Sequence, residues 1–380
     1  MRTKIIFLIF TVLALSYINI YAQTKIYVNP SSYYASIGDT IKVIVKIDNV
    51  NSLHSSSVTV RFNNSIVKFL SASNAGSIFN GNWIDNQPLK NYVYDSVIVD
   101  QALMGFGVSV SGSDTLFSLR FKALANGISP VILESPDLRD PNNGQIVSTL
   151  DSGHIFIGGI SINVKIFLQG PFSSSTHLMS TSLNSLNYLP LEQPYNVSPW
   201  YYNGIERVSS DFFASETNIV DWVLIELRKN TSGSSVFRTK AALIKNDGTI
   251  VDYIDGVSPV FIVDTTAGSY YIVIRHRNHI SVMSAAPVPL TNISSVYDFT
   301  TNTSTFYGGD AMLLSSGIYG MYAGDANGNG IINAADRNLV IINTGYSGYF
   351  GFDLNLNGIN NAADRNIVIQ NTGRATYVPN

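Results

Sequence analysis

The chain has 380 residues, a formal net charge of −3, only 13% charged residues and no cysteine. A balance this close to neutral leaves no basic stripe to neutralise phosphates, which argues against nucleic acid as a partner. The lack of cysteine excludes disulfides, a lipidated cysteine, thiolate metal sites and cysteine nucleophiles together.

Residues 1–22 carry Arg2 and Lys4, an apolar run from Ile5 to Leu15, and a weaker stretch ending Ile20-Tyr21-Ala22. That is the layout of a secretory signal peptide cut near Ala22. The alternative is an uncleaved N-terminal anchor. Cleavage is favoured because the apolar run is short for a membrane span, although Ile20 is a poor residue at the third position before the cut. No later stretch is apolar for long enough to cross a bilayer. The mature chain is therefore expected to be secreted, free or associated with the cell surface.

Residues 24–158 read as the first unit. Apolar residues alternate with a period of two: Ile41, Val43, Val45 and Ile47; then Val58, Val60 and Phe62; then Phe117, Leu119 and Phe121. Turn pairs such as Gly38-Asp39, Asn63-Asn64, Gly112-Ser113 and Asn126-Gly127 separate the runs. Several short strands at this spacing predict a β-sandwich. The opening IYVNPSSYYASIGDTIKVIVKIDNV, the later SGSDTLFSLRFKALANG and the closing GHIFIGG resemble a cohesin module. The resemblance implies a jelly-roll fold and a dockerin as partner.

Residues 162–320 read as a second all-β unit of the sandwich type. VKIFLQ, DWVLIELR, FRTKAALI, TIVDYI and SYYIVIRHR are its strand-like runs, and Asn246-Asp247-Gly248 is a hairpin turn. The wording of this stretch is similar to a module that precedes dockerin-like repeats in secreted proteins of the Bacteroidetes type, with no assigned activity. Several residues here were weighed for chemistry. His276 and His279 in RHRNH stand three apart, a spacing that on a strand sends them to opposite faces, so a solvated polar strand end is expected. Glutamate is scarce, and Asp221 and Glu226 in DWVLIELR would also lie on opposite faces. Glu206 follows the aromatic run Trp200, Tyr201 and Tyr202, which is the candidate carbohydrate-binding platform. Those rings would equally cap a sandwich core. With no nucleophile motif or phosphate-binding loop in the sequence, the chain is expected not to be an enzyme.

The C-terminal residues 321–380 contain one sentence written twice, DANGNGIINAADRNLVIINTG at 325–345 and DLNLNGINNAADRNIVIQNTG at 353–373. Oxygen-bearing residues fall at loop positions 1, 3, 5, 9 and 12: Asp325, Asn327, Asn329, Asn333 and Asp336, then Asp353, Asn355, Asn357, Asn361 and Asp364. Position 6 is Gly330 or Gly358, and position 7 would offer the carbonyl of Ile331 or Ile359. This is the EF-hand calcium-loop spacing. Two ions are expected. The competing reading is an Asn/Gly-rich turn array that binds nothing. Position 12 is Asp instead of the usual Glu, and the Gly/Tyr-rich stretches before each loop are poor helix formers. Each unit is thus a loop followed by one helix. In this form the repeats resemble a type I dockerin. The resemblance implies partner contacts at loop positions 10 and 11 and along the following helix. Carried over, these are Ala334, Ala335, Arg337 and Asn338, with Ala362, Ala363, Arg365 and Asn366. The paired alanines depart from the distinctive residues usual at positions 10 and 11.

The expectation is a mostly β chain: two β-sandwich domains, jelly-roll or immunoglobulin-like, followed by a small α-helical dockerin-like module with two EF-hand-like loops. Its function would be calcium-dependent, cohesin–dockerin-type scaffolding in an extracellular polysaccharide-associated system. The partners would be cohesin- or dockerin-bearing proteins, including this chain itself head to tail, and polysaccharide. The alternative is a carbohydrate-binding or adhesion protein in which the calcium repeats are only a clamp.

Overall fold

The structure, a computed structural model, describes residues 23–80, 82–85 and 96–380. The signal segment read at 1–22 lies outside them. Among the described residues no helix is long and apolar enough to cross a membrane.

The first unit holds strands β1 (Thr24–Val28), β2 (Ser32–Ala35), β3 (Thr40–Leu53), β4 (Ser55–Arg61), β5 (Val67–Ser73), β6 (Trp83–Asp85), β7 (Ser96–Ala102), β8 (Val110–Ala123), β9 (Gly127–Arg139), β10 (Gln145–Ile146), β11 (Ser148–Asp151) and β12 (Gly153–Ile157). They form two sheets, in the orders β11-β1-β3-β8-β5 and β2-β12-β9-β4-β7-β6, with β10 paired to β9. The expected alternation decides which side faces in. On β3, Ile41, Val43, Val45 and Ile47 are buried while Thr40 and Lys42 are exposed. Val58 and Val60 of β4 and Phe117, Leu119 and Phe121 of β8 meet them in one apolar core. Two sheets with inward-facing alternate residues make a sandwich. Both ends of the unit close on themselves, because β1 runs parallel to β11 and β2 parallel to β12.

The second unit departs from a sandwich of two matched sheets. One eight-stranded sheet runs in the order 282–283, 268–275, 219–228, 236–245, 249–251, 164–165 and 297–298, with 288–290 alongside 268–275. Its other sheets, among the described residues, are two-stranded. The central strand Ile219–Arg228 is buried along its whole length, so it must be covered on both faces. Much of that cover is irregular chain. Leu183, Leu189 and Tyr195 pack into the core, Trp222 donates its indole N–H to the Pro190 carbonyl at 2.9 Å, and the Tyr195 hydroxyl donates to the Trp222 carbonyl at 2.8 Å.

The two units press together through rings. Phe156 of β12 lies 5.1 Å from Phe261 and 5.1 Å from Tyr34, centroid to centroid. Polar contacts flank this stack: the hydroxyls of Ser32 and Ser258 at 2.5 Å, and the Asn126 amide donating to Asp264 at 2.8 Å.

The C-terminal repeats end in helices Ala334–Ile342 and Ala362–Asn371. Each helix starts with a capping box. Asn333 accepts from the Ala335 amide at 2.7 Å while Asp336 accepts from the Asn333 amide at 2.9 Å, and Asn361 and Asp364 repeat this at 2.7 and 2.8 Å. A small core of Tyr322, Ile332, Val340, Leu354 and Val368 joins the repeats, and Ile280 of the second unit belongs to it. Residues 320–325, where the second unit meets the repeats, are buried throughout and bridge to Leu168 and His279.

Candidate functional site

The two loops are stitched crosswise. The Ile332 amide donates to the Arg374 carbonyl and the Gly373 amide to the Ile332 carbonyl, both at 2.9 Å; the Asn360 amide donates to the Tyr346 carbonyl and the Gly345 amide to the Asn360 carbonyl, again at 2.9 Å. Each loop therefore pairs with the segment that follows the other repeat's helix. Within a loop, the first Asp folds over the glycine: the Gly330 amide donates to Asp325 Oδ2 and the Gly358 amide to Asp353 Oδ2, both at 2.8 Å. Gly330 and Gly358 have φ of +85° and +82°, the left-handed region where a Cβ is strained. The amides at Asn327 and Asn355 donate back to Asp336 and Asp364, each at 3.2 Å.

Asp325, Asp336, Asp353 and Asp364 are all buried. Burial pushes the Asp325 carboxyl up to about 7 and the Asp353 carboxyl up to about 6, the latter opposed by the charge of Arg277. Asp325 Oδ1 is buried with no hydrogen-bond partner. A buried carboxylate without compensation is costly, and a second carboxylate across a glycine-turned loop of amide and carbonyl oxygens is a donor set that suits a hard cation. Asp325, Asn327, Asn329, Asn333 and Asp336, with the Ile331 carbonyl, would hold one ion; Asp353, Asn355, Asn357, Asn361 and Asp364, with the Ile359 carbonyl, would hold the other.

The eight residues carried over as partner contacts all stand at the surface. Ala334, Ala335, Arg337 and Asn338 are exposed on one helix, as are Ala362, Ala363, Arg365 and Asn366 on the other. Ile341, Ile342 and Ile369 extend the exposed surface of the same helices with apolar side chains.

The repeats are close in sequence and unequal in setting. Loop position 4 has positive φ in both, +70° at Gly328 and +56° at Leu356. A leucine there is strained by about 1–3 kcal/mol. Leu356 is fully buried in the core of the second unit, which offsets that cost by roughly 1.5–3 kcal/mol. Around it the second unit grips the second repeat. The Asn278 amide donates to the Asp353 carbonyl at 2.6 Å, Arg277 donates to the Phe350 carbonyl, and the Tyr349 hydroxyl donates to Asp221 at 2.7 Å. Gly170 is required for the close approach, since a Cβ there would meet the Leu354 carbonyl at 1.9 Å.

The RHRNH segment corrects the expectation of a solvated strand end. The strand stops at Arg275, so the alternation rule no longer applies, and His276, Arg277 and His279 turn inward and are buried. His276 faces Asp221 at 3.2 Å and His279 at 3.0 Å, while the Gly170 amide donates to His279 Nε2 at 3.1 Å. Burial lowers both histidines, that of His279 well below the ordinary value. Burial opposes ionisation of Asp221 too, but Arg277 and the bonds from His276 and Tyr349 hold it at about 2. Glu226 pairs with Arg228 and Arg275 at 3.0 and 2.5 Å. Both acids are thus bound in ion-pair clusters and do not flank a groove.

Trp200, Tyr201 and Tyr202, the expected aromatic platform, line one open cavity with Glu226 and Arg275, but differ in exposure. Trp200 is half-buried, edge-on to Tyr195 at 5.2 Å. The Tyr202 hydroxyl is committed to Glu206 at 2.5 Å. Tyr201 alone of the three is exposed, at 68%. The chain turns at Tyr201, whose φ is +46°.

No protein-family model matches the chain, and no curated protein matches it. Among solved structures, part of the chain is similar to cohesin modules. The non-cellulosomal cohesin of the hyperthermophilic archaeon Archaeoglobus fulgidus is 21% identical over 36% of this chain and 91% of its own, with a TM-score of 0.31. A chain of a type I cohesin–dockerin complex from Clostridium thermocellum is 21% identical over 36% of this chain and 99% of its own, with a TM-score of 0.32. The second type II cohesin module of an adaptor scaffoldin from Acetivibrio cellulolyticus is 15% identical over 34% and 88%, with a TM-score of 0.32.

Proposed function

We propose that this is a secreted, non-catalytic assembly protein, with a cohesin-like receptor module at its front and a calcium-dependent, dockerin-like plug at its rear. The observation that carries this reading is the duplicated pair of buried carboxylates, Asp325 with Asp336 and Asp353 with Asp364. Each pair lies behind a helix that presents an exposed Ala-Ala and Arg-Asn surface. A cation in each loop fixes the start of that helix and so shapes the surface offered to a partner. Two different complementary surfaces on one chain give heterologous, head-to-tail contacts when they recognise each other. When they do not, each surface addresses another protein, in the setting of an extracellular polysaccharide-associated system.

Deleting residues 321–380 would strip Leu356 and Tyr349 from the second unit, so the test keeps the chain whole. The mature protein and an Ala335→Glu/Ala363→Glu variant are used as bait against cohesin and dockerin modules and against themselves, with calcium and with chelator. Calcium-dependent capture, or a calcium-dependent rise in mass, that the double variant loses supports the reading. Capture of neither module type with calcium present overturns it.

A further inference from the structure

We infer that the second β-unit holds the second acidic loop in its cation-binding shape without a cation, so that the two nearly identical loops are not equivalent. The inference rests on the calcium reading above for its consequence: filling loop 325–336 orders that loop, whereas filling loop 353–364 occupies a site already built.

Three independent contacts carry it. Leu356 takes the left-handed conformation at loop position 4 and buries its side chain among the core residues of the second unit. Asn278, itself fully buried, donates to the carbonyl of Asp353, the first residue of the loop, at 2.6 Å. Tyr349 and Phe350, just ahead of the loop, are tied to Asp221 and Arg277 on the far side of the same buried cluster. The approach to the first loop is also tied to the second unit, with the Gly324 amide donating to the Asn278 carbonyl at 3.1 Å, but inside that loop there is no counterpart of Leu356 or of the Asn278 side chain on Asp353. At position 4 it carries Gly328, which lies against the Trp200 and Pro199 side chains without inserting, and Asn329 beside it is exposed. Each loop keeps one buried oxygen without a hydrogen-bond partner, a carboxylate oxygen in the first (Asp325 Oδ1) and an amide oxygen in the second (Asn360 Oδ1). A loop whose anchors come from a folded neighbour opens only when the neighbour opens, whereas one held by its own polar groups opens locally.

Amide hydrogen exchange of the whole chain, resolved to single residues, reads this directly. In chelator, the amides of Leu354, Asn355 and Gly358 should exchange at least about tenfold more slowly than those of Ala326, Asn327 and Gly330. Adding calcium should slow the first loop and leave the second nearly unchanged. Leu356→Gly gives the second loop the residue of the first and suits the positive φ; it should bring the two loops to similar exchange in chelator. Should that variant unfold the second unit, Asn278→Ala, which removes the bond to the Asp353 carbonyl and the one between Asn278 Oδ1 and His279 Nδ1, carries the same comparison. Equal exchange of the two loops in the parent chain, or undiminished protection of the second loop in the folded variant, overturns the inference. Failure of calcium to slow the first loop overturns the calcium reading alone, because protection of the second loop in chelator is measured without it.

Discussion

Replacing Asp336 separates the electrostatic role of the first loop from its structural one. Asp336 Oδ2 accepts from the Asn333 amide at 2.9 Å and Oδ1 from the Asn327 amide at 3.2 Å. Asp336→Ala therefore removes half of a capping box, at a cost of about 1 kcal/mol whether or not calcium is present. It also removes one of the two carboxylates of the loop. Sites of low ligand charge in extracellular modules bind calcium with Kd of roughly 10⁻⁴–10⁻³ M. At about 10 mM calcium such a site stabilises the folded state by about 1.4–2.7 kcal/mol through mass action. With about 2–4 °C per kcal/mol for a unit of this size, the calcium increment of one site is about 3–11 °C. Asp336→Asn keeps an acceptor for the Asn333 amide and loses the charge. In scanning calorimetry it should melt near the parent chain in chelator and lack that increment in calcium, whereas Asp336→Ala should be lower in both. An Asp336→Asn chain with the full parental increment would refute the assignment of Asp336 as a ligand.

Acid should destabilise the second unit through its buried histidines. Burial depresses His276 and His279, which face Asp221, Arg277 and Tyr349. The unfolded chain therefore binds more protons than the folded one. Stability is full above about pH 6.5 and falls below it, by up to about 1.4 kcal/mol per pH unit per histidine. Asp221, held at about 2, adds a loss of the same sign only below about pH 4. Urea midpoints in saturating calcium should drop between pH 8 and 5.5, and a flat profile would refute the burial of this cluster. Phe261→Ala, which empties the ring stack between the first two units, should cost about 3–5 kcal/mol and split the calorimetric profile so that the first unit melts by itself; a single unshifted transition would count against that interface.

Period-two alternation made the first unit legible because its strands have one dry face each, so every second letter reports the core. The second unit defeated the same rule at two places. In Ile219–Arg228 both faces are covered, and Asp221, Glu226 and Arg228 are buried by pairing, which alternation cannot express. In RHRNH the strand ends one residue before the first histidine, and a turn brings together side chains that an extended strand would separate. The unequal exposure of the aromatic run was hidden for a related reason, since a turn at Tyr201 is not expressed by residue type. Sequence patterns report local geometry, and here the decisive partners lie far away along the chain, at Tyr349, Gly170 and Tyr195.

Of the three positions at which the two loops differ in sequence, one bears on their settings most directly. Aligned at the first Asp, the repeats carry glycine and leucine at loop position 4, Gly328 and Leu356. The loop takes the left-handed conformation there in both copies, as their φ values show, and glycine meets the need without strain. A leucine in that place is a cost with no return inside the loop. It is tolerated only where burial elsewhere compensates, and the fully buried Leu356 side chain is that compensation. A strained apolar residue within an otherwise polar, repeated motif is thus a signal that the motif has a second neighbour to satisfy. For this chain the neighbour is the β-unit that precedes the repeats. The Ala-Ala-Asp-Arg-Asn helix starts stay outside that contact in both copies, so the packing that distinguishes the loops leaves Ala334, Ala335, Ala362 and Ala363 exposed on both helices.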